Sequence, residues 1–178
     1  MDKLQVGFLI YPSVVQFDVM GAYQVLTFPP NIQVHLLWKT RAPVTSNEGL
    51  ILTPTTTLTD CRPLDVICLP GGGMGQLEVM KDDETLDFLK QQSTNAKYIT
   101  SICTGSMILA AGGLIQGYKS ACHWAFRQQL AMFGVEAVPQ PVVIDRDRIT
   151  VAGVTSSIDF GLTLLGLVCD QSVAKTAQ

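Results

Sequence analysis

Apolar positions along this chain fall into two alternating kinds of segment. Short, mainly apolar runs occur at 4–10, Val66–Leu69 and Tyr98–Ile102, and runs of that length suit strands buried on both faces. Others carry helical spacing. Phe17, Met20, Ala22 and Val25 predict a helix from Phe17 to Leu26, closed off before Pro29-Pro30. Residues 32–39 alternate, with Ile32, Val34, Leu36 and Trp38 opposite Gln33, His35, Leu37 and Lys39, which predicts a half-buried strand. Between Pro43 and Leu58, with four threonines at 53–57, short strands or an extended loop are expected. Asp82-Asp83-Glu84 places acids at the positive end of a helix running through Leu86, Phe88, Leu89 and Gln92. A helix follows Cys103 to about Ala111, and another spans 124–133 and stops at Gly134. Residues 142–144 and 149–151, joined by Asp145-Arg146-Asp147-Arg148, read as a hairpin. Ser156-Ser157-Ile158-Asp159 resembles a capping box opening a last apolar helix through Leu167.

Strands alternating with helices predict an α/β fold: a mainly parallel sheet with helices on both faces. In such folds ligands sit beyond the carboxyl ends of the strands. Three chemically interesting features fall there: the turn after the first strand leading to Asp18, the glycines 71–73, and Cys103. At 178 residues, 47% hydrophobic and 15% charged, the chain suits one domain, residues 1–178, and excludes a disordered segment. Twelve basic against fifteen acidic side chains, net −3 and never in a basic run, argue against nucleic acid. The uncharged stretch between Lys97 and Lys119 is about as long as a bilayer span, but its four glycines and internal Thr and Ser divide it into strand, turn and short helix. No membrane partner is expected. The N-terminal apolar run is short, interrupted by Gln5 and Gly7, and lacks a small-residue cleavage site. Five cysteines without C-x-x-C spacing fit reduced thiols in a cytosol.

Cys103 ends an apolar strand and opens a helix, followed by Thr104, Gly105 and Ser106. A sharp strand-to-helix turn lifts its central side chain out of the sheet and frees neighbouring N–H groups, and a helix N-terminus favours thiolate. The bland reading is a small core hydrophobe. Asp18 is a carboxylate among Val14, Val15, Phe17, Val19 and Met20, either a helix cap or a partner of Cys103. If both ionised they would repel, so such a pair should hold one shared proton. Glycines 71–73 form a turn able to offer an N–H beside that of Thr104, but complete no phosphate-loop pattern. His35 is expected in solvent. His123 reads as a structural hydrogen-bonding residue or a third catalytic partner, and neither histidine supports a metal site. Cys68 and Cys169 read as packing residues, Cys61 as a loop residue, and Cys122 beside His123 as packing rather than a second thiol–imidazole pair.

Together, Gly71-Gly72 after a strand, Cys103 at a strand–helix turn and an acid after the first strand resemble the ThiJ/PfpI superfamily, with its class I glutamine amidotransferase-like, flavodoxin-like three-layer sandwich. Phe17-Asp18-Val19-Met20-Gly21, Ile67-Cys68-Leu69-Pro70-Gly71-Gly72, Thr100-Ser101-Ile102-Cys103-Thr104-Gly105-Ser106, His123-Trp124-Ala125 and the run from Gly153 to Phe160 are most similar to its isocyanide hydratase branch. That resemblance, running from about Val6 to Cys169, implies Cys103 as nucleophile, Asp18 as acid/base partner, and the N–H groups of Gly72 and Thr104 as stabilisers of negative charge. It implies hydration of an organic isocyanide to a formamide through a covalent thioimidate, no cofactor or metal, and a homodimer. Many superfamily members have Glu in place of Asp18 and His in place of Thr104, so both residues point away from the protease, deglycase and chaperone-like branches. AraC-type regulators carry a similar N-terminal domain with a Cys-Thr-Gly elbow and His-Trp, so a non-catalytic small-molecule sensor is the alternative, with another cysteine-dependent hydrolase or glyoxalase-like activity beside it.

Overall fold

The computed structural model describes residues 3–178. Its centre is a seven-stranded sheet ordered β10-β11-β7-β6-β1-β2-β5. These strands are β1 (Leu4–Leu9), β2 (Ile32–Trp38), β5 (Thr56–Thr57), β6 (Val66–Leu69), β7 (Tyr98–Ile102), β10 (Val142–Asp145) and β11 (Arg148–Val151). All neighbours pair in parallel except β10 with β11, the expected hairpin, whose turn takes positive φ at Arg146. Two small ladders lie outside it, β3 (Val44–Thr45) with β4 (Ile51–Leu52) and β8 (Lys119–Ser120) with β9 (Glu136–Ala137). The helices are α1 (Gln16–Leu26), α2 (Met74–Val79), α3 (Asp83–Ser93), α4 (Gly105–Ala111), α5 (Arg127–Ala131), α6 (Ser157–Val168) and α7 (Gln171–Ala177), with 3₁₀ turns at Trp124–Phe126 and Val154–Ser156.

The mainly apolar runs become the central strands. Val6 and Phe8 of β1, Val66 and Cys68 of β6 and Ile102 of β7 are fully buried, each large aliphatic or aromatic side chain among them contributing roughly 1.5–3 kcal/mol of burial. From β1 the chain steps outward to β2, then returns to lay β6 and β7 on the other flank of β1. That reversal opens a crevice between the carboxyl ends of β1 and β6.

Four local expectations change on folding. Phe17 and Met20, half exposed, lie off the buried stripe of α1, which consists of Asp18, Val19, Gly21, Ala22, Val25 and Leu26. This helix packs on the sheet and on α6 at once, so two apolar faces are buried and a third remains outside. The close α1–α6 approach needs glycine: a side chain at Gly21 would meet Ser157 Oγ, and one at Gly161 would lie 2.9 Å from Val25 Cβ. Ser157 is therefore buried, and Ser156 caps α6 with no side-chain hydrogen bond, so no capping box forms. The expected helix at 124–133 is broken into the 3₁₀ turn and the short α5, before Gly134 takes φ +74°. His35 is half-buried, its Nε2 2.8 Å from Gln5 Oε1, because β2 lies beside β1 and is covered further along by β5. By contrast, Asp82 caps α3 as expected, accepting from the Thr85 N–H. The uncharged 98–118 stretch is β7, a turn and α4; among the described residues no helix is long and apolar enough to cross a membrane.

Candidate active site

Each side chain at the crevice is placed by a turn leaving a parallel strand. After β1 the chain makes a tight loop with Ser13 at φ +66° and is stitched to the loop after β6. Val15 N–H donates to Gly71 O at 2.8 Å, Gly73 N–H to Ser13 O at 3.1 Å, and Val14 bridges Gly72. Buried Tyr11 donates its hydroxyl to Pro70 O at 2.8 Å, beneath the same turn. These bonds set the first turn of α1 over Gly71, whose N–H donates to Asp18 Oδ2 at 2.9 Å. Asp18 is completely buried, and its Oδ1 has no hydrogen-bond partner among the described residues.

Cys103 extends the β7 ladder by one residue, its N–H donating to Val151 O at 2.9 Å, and then turns with φ +59°. A left-handed conformation costs a non-glycine residue about 1–2 kcal/mol. Here it is held by the N–H bond to β11 and by the Cys103 carbonyl, which accepts from His123 N–H at 3.2 Å. Gly105 lets α4 start hard against the end of β6, where a side chain would strike Leu69 O. The elbow expected from the sequence is thus formed.

Gly71 is where the parts converge. A Cβ there would stand 2.8 Å from Thr104 Oγ1, 2.9 Å from Thr104 N and 3.0 Å from Asp18 Oδ2, so only glycine lets carboxylate and elbow close on one another. Burial and then the Asp18 charge push the Cys103 thiol up to about 12, against the lowering effect of the Thr104 N–H and hydroxyl. Burial lifts Asp18 to about 7 against the opposing Gly71 N–H. Between those values the pair holds one proton, as two mutually repelling groups must. The Gly72 N–H, expected to face developing charge, donates to Thr104 Oγ1 at 3.2 Å, so in this arrangement it orients the threonine hydroxyl. His123 closes the 3₁₀ turn, its Nδ1 accepting from Ala125 N–H at 3.3 Å. Among the described residues no group of three or more His, Cys, Asp or Glu could hold a metal ion.

Beside the elbow opens a cleft of about 420 Å³, and sequence patterning gave no sign of it. One wall is Cys122, His123, Trp124 and Arg127, the other Pro139 to Pro141 and Ala152 to Ser156. Both walls begin at backbone partners of Cys103: His123, just beyond β8, and Val151, the last residue of β11.

The DJ-1/PfpI family model matches residues 4–167. The chain belongs to the DJ-1/PfpI family. It is 51% identical to an isonitrile hydratase of Pseudomonas putida, over 98% of this chain and 76% of that protein. The transcriptional regulator GbdR of Pseudomonas aeruginosa is 28% identical over 90% of this chain, which spans only 46% of the regulator. Among solved structures, a ThiJ/PfpI protein from Pseudomonas syringae superposes with TM-score 0.97 at 41% identity, covering all of this chain and 74% of that one. Drosophila DJ-1beta, at 22% identity and TM-score 0.89, shares the DJ-1/PfpI fold over 99% of this chain and 96% of its own.

Proposed function

We propose that this DJ-1/PfpI enzyme hydrates organic isocyanides to N-substituted formamides, with Cys103 as nucleophile and Asp18 as proton carrier. One observation carries the reading: a buried carboxyl poised near neutrality, with one oxygen free, beside a thiol presented on a positive-φ turn. Resemblance to the Pseudomonas putida isonitrile hydratase supports the choice of substrate.

The isocyanide's terminal carbon can accept both a proton and a sulfur. The Asp18 carboxylate takes the Cys103 proton as sulfur bonds to that carbon, then delivers it to the same carbon, giving the thioimidate R–N=CH–S–Cys103. Asp18, again a carboxylate, removes a proton from water as the hydroxyl adds to the carbon and returns it to nitrogen. The carbon–sulfur bond then breaks, the hydroxyl proton returns to sulfur by way of Asp18, and R–NH–CHO leaves. Thr104, with its N–H and hydroxyl near the sulfur, stabilises charge there in both bond-making and bond-breaking. Gly72 holds the threonine hydroxyl in place.

Incubation of the purified chain with an aromatic isocyanide should yield the formamide, and intact-mass analysis should trap an adduct of substrate mass on Cys103. Turnover by Cys103→Ala at the wild-type rate would overturn the mechanism. Stoichiometric binding without turnover, unaffected by that substitution, would favour a sensor domain like the one suggested by GbdR. The enzyme is further proposed to work as a homodimer, supported by the exposed Phe17 and Met20 on α1 and Ile158 and Leu167 on α6. Sedimentation should give twice the chain mass; a monomer at micromolar concentration would remove that part.

A further inference from the structure

The cleft reaches Cys103 through its neighbour His123, whose N–H donates to the Cys103 carbonyl, and it has one permanent charge in its wall. Arg127, the first residue of α5, lines it, and no Asp or Glu does. Arg127 as a residue is half-buried, and its guanidinium makes no ion pair or side-chain hydrogen bond among the described residues. The neighbouring depression, reached past Trp124, also has Arg127 in its wall and again no carboxylate. Glu136, on the adjoining β9, is engaged by Lys119 at 3.9 Å. The contrast with Arg146 and Arg148 is informative: each sits against Asp145 or Asp147 and over the Tyr118 ring. The rest of the cleft is uncharged and largely apolar, formed by Trp124, Pro139, Pro141, Ala152 and Val154. A planar guanidinium left unpaired in an apolar wall is suited to receive a carboxylate in two parallel hydrogen bonds. Such pairing also avoids leaving a partly desolvated charge unmatched.

We propose that Arg127 recognises an anionic group on the isocyanide's substituent, so that the preferred substrates of this enzyme are isocyanides bearing a carboxylate. The inference rests on the hydratase reading. The substituent would lie along the cleft from Cys103, its apolar part against Trp124 and the prolines, its carboxylate on Arg127. Arg127 is here a specificity residue, acting on binding and remote from the reacting carbon.

The test compares kcat/KM for two acid–amide pairs: 4-isocyanobenzoate with 4-isocyanobenzamide, and isocyanoacetate with isocyanoacetamide. Each amide reproduces the shape without the charge. In at least one pair the acid should be preferred by about tenfold, the gain of one charge-assisted contact in a half-exposed site. The preference should fall as ionic strength rises. Arg127→Gln should bring the acid-to-amide ratio close to that of the free compounds' reactivity, and Arg127→Lys should restore part of it. Hydration of the amides with no preference for either acid, or a preference that survives Arg127→Gln, would overturn the charge assignment and leave the hydratase reading intact. No hydration of any of the four would overturn both.

Discussion

Cys68 and Cys103 are both buried cysteines at the centre of one sheet, on neighbouring strands or at their ends, and both have thiols raised to about 12. Cys68 lies within β6, in register with Phe8 and Thr100 on either side. Burial alone accounts for its shift, and only a threonine hydroxyl opposes it. Cys103 stands one residue past the end of its strand, in left-handed backbone, where the charge of Asp18 adds to burial and Thr104 opposes both. On the proposed mechanism, then, a high thiol pKa does not separate an inert cysteine from a nucleophile; what separates them is whether a second group is placed to take the proton at the moment of attack.

The largest effect should come from exchanging the two sulfurs in turn. Cys103→Ala should lower hydration by at least about 10³-fold, as expected for loss of a nucleophile, while Cys68→Ala should keep activity within about twofold and lose roughly 1–2 kcal/mol in urea unfolding. Equal losses of activity would erase the distinction. Next, Asp18→Asn should reduce kcat by about 10²–10⁴-fold and yet stabilise the protein. The folded Asp18 titrates at about 7 against an ordinary 3.8, so the native state binds more protons across that window and stability falls as pH rises through it. At about 1.4 kcal/mol per unit, Asp18→Asn should be more stable than wild type by up to about 4 kcal/mol at pH 8 and scarcely so below pH 4. Parallel unfolding curves at the two pH values check this.

Gly71→Ala should follow, with a loss of about 10–100-fold, since the added carbon would push Thr104 and Asp18 apart. Near-ultraviolet dichroism should show the fold retained. Smallest is the wild-type pH profile. With Asp18 required as carboxylate to take the thiol proton, kcat/KM should rise through about pH 7 and drop below it. A flat profile between pH 5.5 and 8.5 would remove Asp18 from the proton path.

How much of this could be read from the chain varies with range. The buried strands and their order of appearance follow from short, mainly apolar runs, because a strand covered on both faces is rich in apolar residues. Cys103 could be found because its signal is local: strand, cysteine, then small residues. Asp18 could be singled out as a carboxylate in apolar company, although its first-turn position left capping open. The exposed face of α1 was not legible, since Phe17 and Met20 read like core until α6 is seen to cover the opposite side. Neither α2 nor α7 has a periodic stripe, and both are short. The cleft and Arg127 were invisible for another reason: their walls come from separate segments, residues 122–127, 139–141 and 152–156, brought together by the pairing of β7 with β11 and by bonds such as Ala121 N–H to Thr150 Oγ1.

By itself, then, the sequence determined the central strands, the elbow at Cys103 and Asp18 as a carboxylate set in apolar company, because each depends on neighbours along the chain. Tertiary structure alone decided that Gly71 would bring Asp18 and Thr104 to one point, that both thiol and carboxyl would lose their water and shift upward, and that an unpaired arginine would face the cleft. Proton affinities and charge complementarity are set by what surrounds a group in space, and that surrounding exists only once distant segments have packed.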